Sequence, residues 1–390
     1  MTDKQHDVIL EVRGRMGLIT LNRAAALNAL SLGMIRDLTV GLLTWRDDPQ
    51  VLAVAIRGMG KDRSVPSATE PPSFVPFGAF CAGGDIRYFH QAALAGDPSL
   101  EDFFTEEYAL NYLIHTYPKP FVAAMDGIVM GGGMGLAQGG SLRIVTERTR
   151  MAMPETAIGL FPDVGGGYFL SRCAGRIGEY LALTGDTIGG RQAVAWGLAD
   201  GYVEAQQLPN IWAKIATTPF ETGGAVEHWV ATQFAADHGR QPSARGQIDA
   251  VFGLDSVSAM LDALDALATQ EKTGSTGAHC GPDWARATVV ALRKRSPLML
   301  HVVLAQIRRA RQMGLVDDLR MERDMVHHCF HLRPGATGET VEGIRALAVD
   351  KDQAPRWNPA TLADVKPEMV APFFVSPWTP STHPLRHLGV

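Results

Sequence analysis

The chain has 390 residues, of which 46% are hydrophobic, so it is long enough for about two domains with a large apolar core. Its 36 Lys and Arg residues against 41 Asp and Glu residues leave a formal net charge of −5. Proteins that bind a phosphate backbone carry an excess of basic residues, so this negative net charge disfavours a nucleic-acid partner.

The first part of the chain alternates strand and helix patterns. Val8 to Val12 and Gly17 to Leu21 are predicted strands joined by a turn at Gly14. Ser31 is typical of an N-cap, and the helix after it is predicted to end before Pro49. Three apolar runs predict buried strands, at Val51 to Ile56, Phe121 to Met125 and Leu142 to Thr146. The pattern predicts an α/β fold.

The segment from Lys61 to Gly78 is rich in proline and predicts an exposed loop. Beyond about residue 208 the strand signal fades and helical periodicity dominates, notably at Pro297 to Gln312 and Asp317 to Cys329. We therefore predict an α/β core over residues 1–205, carrying the functional site. A helical C-terminal region over 206–390 is expected to pack on that core.

The cysteines stand far apart, at Cys81, Cys173, Cys280 and Cys329, and form no CxxC pair. The sequence has no HExxH motif, and none of its histidines and cysteines is interpreted as a metal ligand, so we expect no metal site. This cysteine usage favours a reducing, cytoplasmic location. Neither an apolar leader nor a run of membrane-spanning length is evident, which predicts no membrane partner. The adjacent His327 and His328 are interpreted as surface or packing residues.

Three glycine-bearing segments could carry chemistry: Phe80 to Arg87, Met130 to Leu136 and Met153 to Gly167. Glycines that enter a helix leave backbone N–H groups free to receive a phosphate or a developing oxyanion. They can equally serve only tight turns and close packing. Leu136 breaks the GxGxxG spacing of a dinucleotide site, and the sequence has neither a P-loop nor a GxSxG elbow.

The sequence resembles the enoyl-CoA hydratase/isomerase (crotonase) superfamily in four short stretches: Ile19 to Arg23, Leu27 to Leu30, Ala82 to Asp85 and Gly131 to Gly133. It resembles the 3-hydroxyisobutyryl-CoA hydrolase branch in Pro154 to Tyr168, Arg345-Ala346 and Asp350 to Trp357. The resemblance spans about residues 8–375. It implies a crotonase-like spiral of ββα units with a helical C-terminal portion.

The resemblance also implies that two backbone N–H groups, of Gly84 and Gly132, hold the thioester oxygen of an acyl-CoA. Two such donors stabilise the charge that develops on this oxygen by several kcal/mol. Hydratases of the superfamily use two glutamates, and the first of these positions is Gly135 here. The second is Glu155, which is retained, so the hydratase acid–base pair is incomplete.

In the hydrolase branch, the residues that match Glu155, Asp163 and Glu107 line the substrate site. The resemblance implies Glu155 as nucleophile or as general base, and Asp163 as acid–base partner or anchor of the substrate 3-hydroxyl. Glu107 would help to hold that hydroxyl or the attacking water. Judged without the resemblance, Glu155 is a first-turn acid after a proline, Asp163 an N-cap, and Glu107 part of a solvated helix face. Asp85 is interpreted as a helix cap.

We therefore expect hydrolysis of a short 3-hydroxyacyl-CoA thioester, foremost 3-hydroxyisobutyryl-CoA in valine catabolism. No metal or redox cofactor is implied, since CoA enters as part of the substrate. The alternatives are an enoyl-CoA hydratase or isomerase of the same fold and a non-catalytic CoA-ester-binding or scaffold protein. A homo-oligomer is compatible with the resemblance.

Overall fold

The structure is a computed structural model and describes residues 6–60, 77–235, 245–270, 281–333 and 335–390. The predicted proline-rich loop from Lys61 to Gly78 therefore lies almost wholly outside the described residues. None of the helices in the described ranges is both long and apolar enough to cross a membrane.

The strands of the described residues are β1 (Val8–Arg13), β2 (Met16–Leu21), β3 (Ala53–Gly58), β4 (Phe121–Met125), β5 (Ile128–Met130), β6 (Leu142–Val145), β7 (Arg150–Ala152), β8 (Ile188–Gly189) and β9 (Gly201–Tyr202). One sheet has the order β1-β2-β3-β4-β6-β9, and a smaller one has the order β5-β7-β8. In the larger sheet β1 and β2 are antiparallel, and every later neighbour is parallel. Parallel pairs need crossover connections, which the helices between the strands supply.

The α-helices of the described residues are α1 (Leu32–Arg46), α2 (Ile86–Ala95), α3 (Ser99–His115), α4 (Gly132–Gln138), α5 (Gly166–Ser171), α6 (Ile177–Thr184), α7 (Gly190–Ala195), α8 (Leu208–Thr217), α9 (Gly223–Ala231), α10 (Arg245–Phe252), α11 (Val257–Ala268), α12 (Pro282–Arg293), α13 (Pro297–Ala310), α14 (Leu315–His331), α15 (Glu339–Ile344) and α16 (Pro367–Val370). Short 3₁₀ helices join several of them, and one of these, Glu155–Ile158, belongs to the candidate site.

Local sequence signals explain the first elements. Gly14 takes a φ of +58° between β1 and β2, as the predicted turn requires. The Ser31 side chain accepts a hydrogen bond from the Met34 N–H and caps α1, which confirms the predicted N-cap. The predicted strand at Phe121 to Met125 is confirmed residue for residue, and all five of its residues are buried.

The chain divides into two compact units. The first comprises Met1–Gly84, Leu110–Met151 and Thr187–Arg240. The second comprises Asp85–Ala109, Ala152–Asp186 and Gln241–Val390. Neither unit is bounded at residue 205, where the sequence places the end of the α/β core.

The core of the first unit shows why its boundaries differ from the boundary predicted at residue 205. Apolar residues of α8 and α9, including Leu208, Ile211 and Val230, belong to the same buried cluster as Leu18 of β2 and Val122 of β4. Burial of such side chains contributes about 1.5–3 kcal/mol each, so these helices are held by the sheet they cover. The helical region after residue 205 therefore begins inside the sheet-containing unit.

Aromatic packing positions α3 in the second unit. Phe104 of α3 contacts Phe89 of α2, with ring centroids 4.9 Å apart, and Phe330 of α14, with centroids 5.7 Å apart. The Tyr108 ring lies 6.2 Å from Phe104 and is fully buried. Such edge and tilted contacts contribute beyond area burial alone. They fix the helix face that carries Glu107 and Tyr108.

Candidate active site

Glu107, Glu155 and Asp163 lie together in the interior of the second unit. Their exposed fractions are 2%, 6% and 6%. Burial raises the pKa of Glu107 and of Glu155 well above the ordinary value, and the negative charge of Asp163 raises both further. Burial and mutual repulsion therefore both oppose full ionisation of the group. Carboxyl groups whose pKa values are raised in this way suit general acid–base work.

Two carboxylate oxygens of this group have no hydrogen-bond partner in the part of the chain that the structure describes. Glu155 Oε2 and Glu107 Oε1 are buried, and neither has a hydrogen-bond partner among the described residues. Buried polar atoms are nearly always paired in folded proteins. These two oxygens are therefore available to a substrate group or to a water molecule.

Glu155 is the first residue of the 3₁₀ helix that follows Pro154. Glu155 is thus a first-turn acid, as interpreted from the sequence without the resemblance, and its side chain is buried. Gly159, with a φ of +65°, ends this helix, and the Leu160 N–H donates to the Glu155 carbonyl oxygen at 3.0 Å. The short helix thus holds Glu155 on a tight turn that backbone hydrogen bonds close.

Asp163 is held by Tyr108. The Tyr108 hydroxyl donates a hydrogen bond to Asp163 Oδ2 at 2.9 Å, and both side chains are buried. Burial raises the pKa of Asp163 from 3.8 to about 7, while this hydrogen bond opposes the rise. The Asp163 side chain is therefore not the N-cap that the sequence allows, because α5 is capped by Gly165.

The turn after Asp163 is fastened by two buried acids of α14. Glu322 accepts hydrogen bonds from the N–H groups of Gly165 at 2.7 Å and Gly167 at 2.8 Å. Asp318 accepts one from the Tyr168 N–H at 2.8 Å. Val164 has a φ of +56° in this turn, a costly conformation for a β-branched residue that surrounding structure must impose. Together these bonds fix the position of Asp163.

In the first unit, the loop that contains Gly84 lies against the loop that precedes α4. The Leu30 N–H donates to the Gly83 carbonyl oxygen at 2.8 Å, and Leu30 and Gly84 form a parallel bridge. Gly83 has a φ of +95°, and a Cβ there would lie 3.4 Å from the Gly132 nitrogen. The backbone at Gly83 thus passes close to that of Gly132. These residues belong to the two glycine loops that, according to the resemblance, together form the oxyanion hole.

Gly132 is the first residue of α4, so helix geometry gives its N–H no partner within the helix. Gly133 has a separate, steric role. A Cβ at Gly133 would lie 2.3 Å from the Cys81 carbonyl oxygen, which leaves no room for a side chain. Gly135 is buried within α4 and offers no proton-transferring group.

A family model described as enoyl-CoA hydratase/isomerase matches residues 16–374. The chain belongs to the enoyl-CoA hydratase/isomerase family. The predicted crotonase-like α/β fold is therefore confirmed. Within this family the chain is 38% identical to "3-hydroxyisobutyryl-CoA hydrolase, mitochondrial" of Gallus gallus, over 95% of this chain and 89% of that protein. It is 37% identical to "Probable 3-hydroxyisobutyryl-CoA hydrolase 3" of Arabidopsis thaliana, over 95% of this chain and 92% of that protein.

Two solved structures that are similar to this chain carry other names. An enoyl-CoA hydratase from Rhodobacter sphaeroides is 34% identical, with a TM-score of 0.78, and the match covers 95% of this chain and 98% of that one. A carnitinyl-CoA dehydratase from Mycobacterium thermoresistibile is also 34% identical, with a TM-score of 0.77, over 95% of this chain and 97% of that one. The fold alone therefore does not select the reaction.

The fold brings the three predicted carboxyl residues together, although their catalytic roles stay predictions. The expectation that Glu107 lies on a solvated face is wrong, because that side chain is buried. Asp85 is confirmed as a cap, since it accepts a hydrogen bond from the Tyr88 N–H at the start of α2. Sequence reasoning missed Tyr108, although its place directly after Glu107, which the resemblance puts at the substrate site, was the available signal. It also missed Glu322, which lies far away along the chain.

Proposed function

We propose that the protein hydrolyses 3-hydroxyisobutyryl-CoA to 3-hydroxyisobutyrate and CoA, a step of valine catabolism. The observation that carries this proposal is the buried group of Glu107, Glu155 and Asp163, in which two carboxylate oxygens have no hydrogen-bond partner among the residues that the structure describes. The names of relatives at 35–38% identity over nearly the whole chain support the same activity.

Glu155 is the group that we propose to begin the cleavage. In one route its carboxylate attacks the thioester carbon, the C–S bond breaks, and water then hydrolyses the resulting anhydride. In the other route Glu155 takes a proton from water, and the hydroxide attacks the same carbon directly. In both routes the N–H groups of Gly84 and Gly132 would bind the oxygen as its charge develops.

Asp163 is the proposed acid–base partner. A group with a pKa of about 7 exchanges protons readily near neutral pH, so it can protonate the departing thiolate of CoA. Glu107, whose Oε1 has no partner among the described residues, is suited to bind the substrate 3-hydroxyl or the attacking water. The proposed reaction uses these protein groups and water, and needs neither a metal ion nor a redox cofactor.

The test is thiol release from a panel of 3-hydroxyacyl-CoA esters, with and without Glu155→Gln. The amide retains the shape of the side chain but has no charge and poor nucleophilicity, so turnover should fall by about three or more orders of magnitude. Circular dichroism should show an intact fold. Near-wild-type turnover of the variant would remove Glu155 from its proposed role. An acyl adduct on the acid-quenched enzyme would favour the anhydride route.

Hydration of an enoyl-CoA is the second candidate, because the two solved structures above are named hydratase and dehydratase. Gly135 stands where the superfamily's hydratases have their first glutamate and argues against it. Rapid loss of the enoyl absorbance of crotonyl-CoA without thiol release would favour hydration over hydrolysis. A scaffold or CoA-ester-binding role would be supported if no short acyl-CoA released thiol at all.

The partner, the oligomeric state and the cellular location are also proposals. The partner that we propose is a small acyl-CoA substrate, and assembly into a homo-oligomer is testable by light scattering at several concentrations. A cytoplasmic location remains a prediction, and fractionation of cells that express the full chain is its test. Several of the related hydrolases are named as mitochondrial.

A further inference from the structure

A group of potential metal ligands lies on two helices of the second unit. Among the residues that the structure describes, Glu101 of α3 and His327 and His331 of α14 form a group of three such side chains. The histidines are four residues apart, so they lie on one face of α14, one turn from each other. This His-x₃-His spacing is in the sequence, but its third member is more than two hundred residues away.

The ligand atoms have distances that suit a metal centre. Glu101 Oε1 lies 2.8 Å from His331 Nε2 and 3.2 Å from His327 Nδ1, and the potential ligand atoms of the three residues lie within 4.8 Å of one another. Ligand atoms around a tetrahedral zinc ion are about 3.3 Å apart, given bonds of about 2 Å. Changes of at most about 1.5 Å in these separations would place the three atoms around one ion.

A buried arginine orients the carboxylate. Arg323 Nη2 forms an ion pair with Glu101 Oε2, and Arg323 Nε donates to Thr105 Oγ1 at 3.0 Å. The Arg323 side chain is 1% exposed and lies over the Trp378 ring. One oxygen of Glu101 is thus occupied by the guanidinium, while the other faces both imidazoles. Outer partners that orient a ligating carboxylate in this way are typical of metal sites.

We propose that Glu101, His327 and His331 form a binding site for a divalent transition ion of the zinc type. Two imidazoles and one carboxylate are donors that zinc favours, and water would complete the coordination. The side chain of His331 is half exposed, which gives an ion access from solvent. The bound ion would connect α3 to α14 and stabilise the second unit. The proposal is independent of the proposed function.

Isothermal titration of the full chain with zinc sulfate tests the proposal, after removal of any affinity tag and treatment with a chelator. We expect saturable binding of one ion per chain. His327→Gln and His331→Gln should each weaken it by about tenfold or more, because loss of a ligand costs at least as much as loss of an outer partner. His328→Gln is the matched control, since the adjacent His328 lies outside the group and its Nε2 contacts the Val375 carbonyl oxygen.

Two further measurements complete the test. Cobalt(II) bound in place of zinc should give visible absorption bands that weaken in His331→Gln but persist in His328→Gln. The melting temperature should rise with zinc in the wild type and should not rise in Glu101→Gln. Absence of saturable binding, or equal affinity in the wild type and in folded His327→Gln and His331→Gln, would overturn the proposal. In that case the imidazoles serve only as hydrogen-bond partners of Glu101.

Discussion

Replacement of Tyr108 by phenylalanine probes the proposed acid–base partner with little change in volume. The Tyr108 hydroxyl donates to Asp163 Oδ2 at 2.9 Å, inside the protein. Burial raises the pKa of Tyr108 well above 10.0, so the hydroxyl stays protonated and remains a donor throughout the usual assay range. Tyr108→Phe therefore removes one hydrogen bond to a buried carboxylate and leaves the aromatic packing with Phe104 in place.

The magnitude follows from the energy of that hydrogen bond. A bond to a charged acceptor contributes about 1.5–3 kcal/mol, and one pKa unit corresponds to about 1.4 kcal/mol. The hydrogen bond holds the pKa of Asp163 down, to about 7. Its loss should raise the pKa of Asp163 by about 1–2 units. One limb of the pH–rate profile should follow the ionisation of Asp163. That limb, acidic or basic, should move to higher pH by the same amount.

The assay is kcat/KM for thiol release as a function of pH, measured for the wild type, Tyr108→Phe and Tyr88→Phe. Tyr88 is the matched control, because its hydroxyl bonds to Ser99 Oγ at 2.6 Å rather than to the acidic group. The control should retain the wild-type profile. Tyr108→Phe could be folded and active with an unshifted profile. In that case either the ionisation of Asp163 does not affect the rate, or Tyr108 does not stabilise the Asp163 carboxylate.

Two further predictions concern stability. Burial raises the pKa of Asp318 from 3.8 to about 7 in the folded state, so the wild type should lose stability as the pH rises through this interval. Asp318→Asn has no charge to bury and should be more stable than the wild type at pH 8, by up to about 4 kcal/mol. Gly133→Ala would place a methyl group 2.3 Å from the Cys81 carbonyl oxygen and should destabilise the fold by about 1–3 kcal/mol.

Urea denaturation measures both effects. For Asp318→Asn, parallel loss of stability in variant and wild type between pH 5 and pH 8 would contradict a buried, titrating Asp318. For Gly133→Ala, the contrasting variant is Gly224→Ala in α9, where an added Cβ would meet no atom within 4 Å. That substitution should stabilise the helix by about 0.5–1 kcal/mol. Equal effects of the two alanines would refute the steric argument.

Local signals in the sequence were sufficient to predict several elements of the fold. The strand at Phe121 to Met125 and the cap at Ser31 depend on neighbours close in the chain, and both predictions are confirmed. The burial of Glu107 could not be read in this way, because Glu106 and Glu107 together are typical of a hydrated helix face. The surroundings of Glu107 come from residues around Glu155 and Asp163, about fifty positions further along.

The residues that hold the turn after Asp163 could not be predicted, for a similar reason. Asp318 and Glu322 read as ordinary charges of an amphipathic helix, and nothing nearby in the sequence indicates that they accept backbone N–H groups around Gly165. Likewise the packing of α8 and α9 on the sheet depends on distant strands, which explains why the predicted boundary at residue 205 differs from the compact units.

The attachment of the Asp163 turn to α14 limits how this chain can be recombined with its relatives. A hybrid that keeps the turn but takes its C-terminal helices from another protein must inherit side chains with acceptor oxygens at positions 318 and 322, or the amides of Gly165, Gly167 and Tyr168 lose their acceptors. Shortening the chain before α14 would have the same effect. The C-terminal helices are therefore part of what makes the acidic centre, and the minimal functional piece extends well beyond the sheet.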